Sequence, residues 1–407
     1  MSDNYPHLGA LFGLNDEKKI AESGIRNIFT PHQPISDTDL LFGRRDEVQS
    51  LVQTLNTPGQ HVLLYGERGV GKSSLANIVA DMLTVLVETT VHTKRCDQSD
   101  TFESIMRNSL AEVGADLTLI GAAEEVEGSA EGGFKFAKGA IAKKVVAQYA
   151  ASHSLSPSTV AEAIGDLEGL LVVDEADAIG NSEDRRKLAE LIKLLSDSGS
   201  KYKVMVVGIA ATGSELTAAH PSVQRCLRET KLDRMTADEL RDIVVLGGEK
   251  ANLTFTAPVV KAIIDLSAGY PHFTHLIALK CAERAVVAGR GEVDTPHMKT
   301  ALALAVKDAE GTLKRSYEDS TRSANTSMYR SIVRAAARIS SEEFSASTLR
   351  EQIEKVTGDS ISQGSLNNYL QRLVTDEGTS IFTRSMKGVY RFSDPRMASY
   401  VRMTAYE

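Results

Sequence analysis

One stretch of the chain, residues 66–74 (GERGVGKSS), constrains what it can fold into more than any other. It matches the pattern G-x-x-x-x-G-K-[ST], whose glycines let the backbone turn tightly so that N–H groups face phosphates. An apolar run, 61–65 (HVLLY), precedes it as a buried parallel strand would, and apolar residues at helical spacing follow. Strand, glycine loop and helix together predict a nucleotide site, formed by Gly66, Glu67, Arg68, Gly69, Val70, Gly71, Lys72, Ser73 and Ser74.

A second motif, 169–177 (GLLVVDEAD), reads as a buried strand that ends in two acids. We expect Lys72 to reach the β- and γ-phosphates of ATP and the Ser73 hydroxyl to bind Mg²⁺. Asp174 is expected to hold the same Mg²⁺, partly through water, and Glu175 to orient the attacking water. The two motifs therefore predict an ATPase that uses ATP and Mg²⁺. We expect its turnover to be slow and regulatory.

Composition bounds the remaining possibilities. The chain has 407 residues, enough for two or three domains, and its 42% hydrophobic and 25% charged residues are typical of a soluble globular protein. No apolar run approaches a membrane span, and the first residues do not resemble a signal peptide. The net charge of −8 argues against a wholly basic nucleic-acid-binding protein. Cys96, Cys226 and Cys281 are isolated from one another, which predicts reduced core thiols in a cytoplasmic protein.

Three segments lie around the motifs, and two of them have two interpretations each. In the N-terminal strap (1–40) and just after it, Phe29, Phe42 and Arg44 are candidates for a wall against the adenine base and for packing on the core, two interpretations that are compatible. The β-rich stretch 85–92 predicts a second strand. The Gly-rich insertion at 121–140 predicts an exposed loop that contacts a partner, or a solvated insertion whose Phe residues fold back.

A third buried strand is predicted at 203–209, and it runs into a turn that contains Thr212. In this architecture a polar side chain at such a strand tip senses the γ-phosphate, and Thr212 is the nearest candidate. Arg225, and after it Arg228, are candidates for an arginine that meets the γ-phosphate of a neighbouring subunit. The alternative is a surface helix with ordinary arginines.

From Thr236 the pattern is helical, which predicts an α-helical lid (236–310) and then a polar linker (311–327). The last region (328–407) predicts three helices and a hairpin that turns at Lys387-Gly388, the pattern of a winged helix. Its outward side chains suit base edges and phosphates of duplex DNA, although winged helices also bind proteins. The candidate DNA-binding residues are Gln363, Asn367, Asn368, Arg372, Arg384 and Lys387.

These motifs, in this order, resemble AAA+ P-loop ATPases of the origin-recognition-complex/Cdc initiator group and of the allied STAND group of signalling ATPases. The resemblance rests on 42–44 (FGR), the two nucleotide motifs, the segment 222–228, the helical lid and the C-terminal region. It implies an α/β fold with a P-loop AAA+ parallel sheet core (41–235), followed by the lid and a C-terminal winged-helix domain.

The lid departs from the initiator pattern. Initiators carry an arginine after an Ala-Gly-Asp type of turn, and this arginine touches the nucleotide phosphates. Here the turn is 268–272 (AGYPH), whose Gly-x-Pro arrangement resembles STAND proteins. The resemblance therefore assigns Pro271 and His272 to the nucleotide site, with His272 or His275 in place of the arginine.

Our leading hypothesis is an ATP-controlled switch that assembles with copies of itself as a ring or filament and binds duplex DNA through its winged helix. One alternative is a STAND-like regulatory ATPase of a defence or signalling system that gates a separate effector protein. Another is an ATP-dependent target selector in transposition that coats DNA. A membrane partner is not expected.

Overall fold

A computed structural model describes residues 13–35, 40–112, 155–209, 213, 221–323, 326–375 and 380–406. The chain divides into two compact units, which we call the sheet unit (35–67 and 72–233) and the helical unit (1–34, 68–71 and 234–407). The 121–140 insertion and Thr212, both singled out from the sequence, lie outside the described residues.

Helices and strands are numbered in chain order through the described residues. The helices are α1 (Leu14–Ser23), α2 (Ile25–Ile28), α3 (Arg45–Asn56), α4 (Lys72–Val87), α5 (Phe102–Glu112), α6 (Pro157–Ile164), α7 (Ser182–Asp197), α8 (Ala237–Lys250), α9 (Ala257–Ser267), α10 (Pro271–Val287), α11 (Thr295–Asp308), α12 (Gly311–Thr321), α13 (Met328–Arg338), α14 (Ala346–Thr357), α15 (Gln363–Thr375) and α16 (Met397–Thr404). The strands are β1 (His61–Gly66), β2 (Val91–Arg95), β3 (Gly169–Asp174), β4 (Tyr202–Gly208), β5 (Leu227–Leu232), β6 (Thr254–Phe255), β7 (Glu292–Val293), β8 (Glu343–Ser345), β9 (Phe382–Met386) and β10 (Val389–Phe392).

A five-stranded parallel sheet in the order β2-β3-β4-β1-β5 forms the core of the described sheet unit. Strands β1, β3 and β4 are nearly continuous apolar runs because helices cover both faces of a parallel sheet. Since the strands run in one direction, the carboxyl ends of β1 and β3, where the two nucleotide motifs lie, are at the same edge of the sheet. The predicted α/β class with a parallel P-loop sheet is confirmed.

The two faces of this sheet carry different helices. Successive strand residues point to opposite faces, and one set, which includes Val173 and Val206, shares a core cluster with residues of α5, α6 and α7. Helix α4 contacts β1, β3 and β4, and α3 contacts β1 and β5. The core thus holds the strand ends rigidly in register, which fixes the backbone from which the nucleotide loop departs.

The predicted strand at 85–92 is wrong in its first half. Helix α4 continues to Val87, because no Gly or Pro ends it earlier, and β2 begins only at Val91. Val85, Leu86 and Val87 are 66%, 72% and 54% exposed at the end of this helix. The apolar character of these three side chains therefore did not indicate burial in the sheet.

In the helical unit, α8, α9, α10 and α11 form a bundle, and α1 and α2 pack against α10. The four helices occupy the positions that the sequence pattern predicted for the lid. Residues 311–321, expected to be part of a linker, form helix α12, because Leu313 and Tyr317 lie one turn apart and are both buried. No helix among the described residues is long and apolar enough to cross a bilayer.

The C-terminal region (328–406) contains the three helices and the hairpin expected from the sequence. The helical spacing of Leu366, Tyr369, Leu370 and Leu373 predicts that they form the inward face of α15. The three leucines are buried there, and Tyr369 is half-buried with its ring 5.1 Å from that of Tyr329. Strands β9 and β10 turn at Lys387-Gly388, where Gly388 has a φ of +81°, and β8 completes an antiparallel sheet in the order β8-β10-β9. Helix α16 then packs against α13.

Candidate functional site

The nucleotide loop leaves β1 through a glycine that no other residue could replace without a shift of the backbone. A Cβ at Gly66 would lie 2.3 Å from the carbonyl oxygen of Leu232 on the neighbouring strand β5. Gly71 has a φ of +99°, a conformation that glycine adopts readily, and α4 begins at the next residue. The loop therefore ends on a helix N-terminus, where unpaired backbone N–H groups favour an anion such as a phosphate.

Lys72 follows Gly71 in sequence, and its side chain turns back to the start of the loop. Its Nζ donates hydrogen bonds to the carbonyl oxygens of Gly66, at 3.0 Å, and Glu67, at 2.8 Å. These carbonyls hold the ammonium over the curve of the loop, where the charge would meet phosphate oxygens.

The two nucleotide motifs meet through Ser73 and Asp174. The Ser73 hydroxyl donates to Asp174 Oδ1 at 3.1 Å, and the backbone N–H of Glu175 donates to the same oxygen at 2.9 Å. Asp174 is only 3% exposed at the end of β3. The sequence separates these side chains by about a hundred residues, and the parallel sheet brings them into contact, as the motifs predicted.

This pair fits a magnesium ion of the kind that accompanies a nucleotide. Mg²⁺ in such sites takes one or two protein oxygens, and water and phosphate oxygens complete its octahedron. One hydroxyl and one carboxylate in contact meet that requirement. No cluster of three or more His, Cys, Asp or Glu side chains that could hold a metal is found among the described residues.

Glu175 has an unusual backbone conformation for a residue other than glycine, with a φ of +56° and a ψ of 40°. It follows β3 directly, and its side chain is exposed at the same sheet edge as the loop. Left-handed conformations of such residues cost of order 1–3 kcal/mol and concentrate at functional sites. The strain fits a residue whose carboxylate must stand clear of the strand to reach a water molecule.

Arg95 is a site residue that the sequence reasoning missed. It ends β2 and lies opposite Asp174 in the strand register, with its Nε 3.7 Å from Asp174 Oδ2. Its side chain is 53% exposed. The available signal was a basic residue at the end of an edge strand, but β2 could be placed beside β3 only once the strand order was known.

Within the helical unit, the segment 68–71 of the loop packs against the lid turn and the C-terminal region. A Cβ at Gly69 would lie 2.8 Å from Arg396 Cδ and 3.7 Å from the Tyr270 ring, and one at Gly71 would lie 3.7 Å from Pro271. The resemblance assigned Pro271 to the nucleotide site, and the structure places it beside Gly71. Arg396, which was not singled out, also lies there.

Arg396 is held in place by carboxylates of the helical unit. Its Nε and Nη2 bond the two oxygens of Asp394, at 3.0 and 2.8 Å, and its Nη1 pairs with Glu310. Its side chain is 5% exposed. The fork geometry of the guanidinium fixes the side chain against Gly69.

His272 follows Pro271 but is engaged with the N-terminal strap. Its Nδ1 lies 2.7 Å from the carbonyl oxygen of Pro31. Burial lowers the pKa of His272, which favours the neutral ring at neutral pH. A neutral imidazole is a weaker phosphate ligand than the arginine of initiator lids.

His275, the other candidate for that role, lies in the core and is 3% exposed. Its Nδ1 accepts a hydrogen bond from the Thr30 N–H at 3.2 Å, and burial lowers its pKa to about 4. An unfolded histidine binds a proton near pH 6.5, whereas the folded His275 does so only near pH 4. His275 therefore stabilises the fold above pH 6.5, and this contribution decreases as the pH falls towards 4.

We expect His275→Asn to flatten the acid dependence of stability. Asn can still accept from the Thr30 N–H but does not titrate, so the loss of unfolding free energy between pH 7 and 4.5 should shrink by roughly 2–3 kcal/mol. Urea unfolding at the two pH values measures this difference. His32→Asn is the control, since His32 is exposed. An unchanged pH dependence in His275→Asn would contradict the prediction.

The residues proposed as an adenine wall occupy core positions. Phe29 is fully buried in the helical unit, with its ring 6.0 Å from that of Phe255 and against Gly247. In the sheet unit, Phe42 is 7% exposed, and Arg44 bonds Glu47 and the carbonyl oxygen of Asp233. These contacts favour the alternative interpretation, a strap packed on the core.

The candidate arginine fingers lie far from the chain's own loop. Arg225 lies two residues before β5 and Arg228 is the second residue of that strand, whereas the loop leaves the opposite end of the neighbouring strand β1. Arg225 is 64% exposed and pairs with Asp197. Arg228 is exposed on an edge strand and makes no ion pair within the described residues. Neither arginine can reach this chain's nucleotide from that end of the sheet.

The proposed DNA-binding side chains divide into two groups. Gln363, Asn367 and Asn368 are exposed on α15, and Gln363 Nε2 donates to Asn367 Oδ1 at 3.1 Å. Lys387 is exposed at the hairpin turn. Arg372, by contrast, stacks over the Tyr329 ring at 4.4 Å and donates to the carbonyl oxygen of Arg322, while Arg384 lies over Tyr390 at 5.7 Å.

Comparisons with known proteins bear on the whole chain. A family model described as novel STAND NTPase 1 matches residues 31–354. A Walker-type ATPase of Pyrococcus abyssi is similar over 92% of this chain and 99% of its own, with 20% identity and a TM-score of 0.51. The ORC2 protein of Aeropyrum pernix, in ADPNP and ADP complexes, is similar over 93% and 98%, with 15% identity and a TM-score of 0.50. No curated protein matches the sequence.

The two solved structures share the fold, and the family match covers the loop, the acidic motif, the lid and part of the C-terminal region. The AAA+ resemblance of the sequence to the Orc/Cdc and STAND groups is thereby confirmed. The chain belongs to the novel STAND NTPase 1 family, and it is a P-loop NTPase with the fold of the Orc/Cdc group.

Proposed function

We propose that this protein binds and hydrolyses ATP as a switch that assembles with copies of itself and engages duplex DNA through its C-terminal region. The observation that carries the ATPase is the 3.1 Å contact between Ser73 and Asp174, with Glu175 next in the chain. A loop that only bound nucleotide would not need an exposed, strained glutamate at the same edge.

Each side chain has a separate task in this mechanism. Lys72 exchanges its bonds to the loop carbonyls for bonds to the β- and γ-phosphates. Ser73 and Asp174 would hold Mg²⁺, which neutralises phosphate charge when bound. Glu175 orients the attacking water and polarises it toward the γ-phosphate.

Assembly would bring an arginine of one copy to the nucleotide site of another. The positions of Arg225 and Arg228 support a role toward a neighbouring copy, because a side chain at the far end of the sheet can complete only another subunit's site. An arginine that meets the γ-phosphate in trans makes hydrolysis depend on assembly. ATP would then favour the assembled state and hydrolysis would reset it.

The exposed amides of α15 support DNA binding by the C-terminal region. Asn and Gln side chains can bond base edges, and the cations of the hairpin can contact phosphates. The order of helices and strands in residues 328–406 supports a winged helix, in which a helix such as α15 enters the major groove.

We expect duplex DNA affinity to fall steeply with salt and to depend on the hairpin cations. The double variant Arg384→Gln, Lys387→Gln should weaken binding and reduce the slope of log K against log[salt] by about 2, since each cation releases about one counterion. Fluorescence anisotropy at several salt concentrations measures both quantities. The control is Arg241→Gln with Lys261→Gln, two exposed cations of α8 and α9, which should leave the slope unchanged.

A second function, the gating of a separate effector protein, is favoured by membership in a STAND family. Met386, which is 61% exposed beside the hairpin turn, and the uncharged outward face of α15 also suit a protein partner. The salt titration separates the two functions. No duplex affinity even at low salt would overturn the DNA proposal and favour the gate.

A further inference from the structure

A cavity of about 510 Å³ lies within the helical unit, outside the nucleotide loop. The end of α9, the end of α13 and helix α16 form its walls. Charged and apolar side chains line it, among them those of Asp265, Leu266, Arg334, Arg338, Arg402 and Tyr406. We call this space the arginine cavity. Its volume is in the range of small-molecule sites.

Positive charge exceeds negative charge around the arginine cavity. Three guanidinium groups line it, whereas Asp265 supplies one carboxylate, and that carboxylate also lies 3.5 Å from Lys261 Nζ. Arg334 and Arg338 make no ion pair with any described residue. Nε of Arg334 is buried and has no hydrogen-bond partner among these residues. A buried cationic donor without an acceptor is costly, and an anionic ligand would remove that cost.

Arg402 is already fixed in position at the base of the cavity. Its guanidinium donates to the carbonyl oxygens of Ala337, Asp265 and Ile339, at 2.6, 2.9 and 3.4 Å. These bonds cap the ends of α9 and α13 and use three of its five N–H donors. Burial, and next the charge of Arg234, lower the pKa of Arg402, and the Asp265 carboxylate opposes this shift.

We propose that the arginine cavity binds a small organic polyanion, a molecule that carries at least two phosphate or carboxylate groups. Guanidinium groups bond both kinds of oxyanion in a bidentate manner, and an immobilised arginine loses little entropy on binding. Leu266 and the Tyr406 ring offer an apolar wall for the carbon part of the ligand. The site is separate from the loop at 66–74, which binds phosphate through backbone N–H groups and Lys72.

The test measures the binding of inorganic pyrophosphate and of citrate by isothermal titration calorimetry, with saturating ADP present so that the nucleotide loop is occupied. We expect at least one of the two anions to bind at one site per chain. Pyrophosphate binding identifies a phosphate ligand and citrate binding a carboxylate ligand. No saturable binding of either anion up to about 10 mM would overturn the proposal.

The double variant Arg334→Gln, Arg338→Gln locates the binding. It removes two charges but leaves Arg402 and its helix caps intact, so we expect at least about a tenfold loss of anion affinity. The matched control is Arg330→Gln with Arg350→Gln, two exposed arginines of α13 and α14 that do not line the cavity. It should bind the anion as the wild type does.

The ADP affinity of the double variant and a comparison of its anion affinity with that of the control complete the test. Unchanged ADP affinity of the Arg334→Gln, Arg338→Gln variant shows that the chain has folded. Equal anion affinity in this variant and in the control would place the anion elsewhere and overturn the proposal. If the variant instead weakens duplex DNA binding while neither anion binds, the arginines serve nucleic-acid phosphates and the polyanion site is likewise refuted.

Discussion

Glu175→Gln is expected to bind ATP as tightly as the wild type and to hydrolyse it about 10²–10⁴-fold more slowly. Gln keeps the size of the side chain and can still bond water, but it cannot polarise the water as a carboxylate does. The loss should therefore lie in kcat, with the nucleotide affinity preserved. Steady-state phosphate release and titration with a fluorescent ATP analogue measure the two quantities.

Lys72→Ala provides the contrast, because it acts on binding. The ammonium of Lys72 is the cation held over the loop by the carbonyls of Gly66 and Glu67. Its loss should weaken ATP binding by roughly 10²-fold or more, since a charge-assisted bond to phosphate is removed. Full turnover in Glu175→Gln, or unchanged ATP affinity in Lys72→Ala, would contradict the assigned roles.

Patterns carried by adjacent residues made the nucleotide site predictable. The loop at 66–74 and the acids after β3 each contain, within a few residues, the strand, the turn and the functional side chains. A parallel sheet brings the ends of its strands to one edge, so the contact of Ser73 with Asp174 followed from two local patterns and one rule of topology. The inward face of α15 was likewise a local pattern, because Leu366, Tyr369, Leu370 and Leu373 recur at helical spacing, and the three leucines are buried.

Residues whose roles depend on distant partners were not predictable. Arg95 meets Asp174 because β2 and β3 are neighbours, and Arg396 meets Gly69 because the end of the chain packs on the segment 68–71. A residue type that suits both a ligand site and a core also led to a wrong emphasis. Phe29 lies two residues before a proline in a polar segment, which favoured a wall against the adenine base. In the structure its ring packs against Gly247, where a Cβ would leave it no room.

Arg225→Ala is expected to lower kcat by about 10³-fold or more without changing ATP affinity, as the loss of an arginine finger does. The physical reason is its position before β5, at the end of the sheet opposite the chain's own loop. Arg225 pairs with Asp197, so it must exchange this partner for the γ-phosphate of a neighbour. Arg186→Ala is the control, because Arg186 is an exposed, ion-paired arginine of the same unit, on α7.

A mixture of two inactive variants tests whether the arginine acts in trans. Arg225→Ala retains Glu175, and Glu175→Gln retains Arg225, so an assembly that contains both has complete sites where the two meet. Random assembly makes about a quarter of the interfaces complete, and the mixture should recover a corresponding share of wild-type turnover. No recovery would refute action in trans by Arg225. Full activity of Arg225→Ala with loss in Arg228→Ala would transfer the role to Arg228, which lies exposed on the same edge strand.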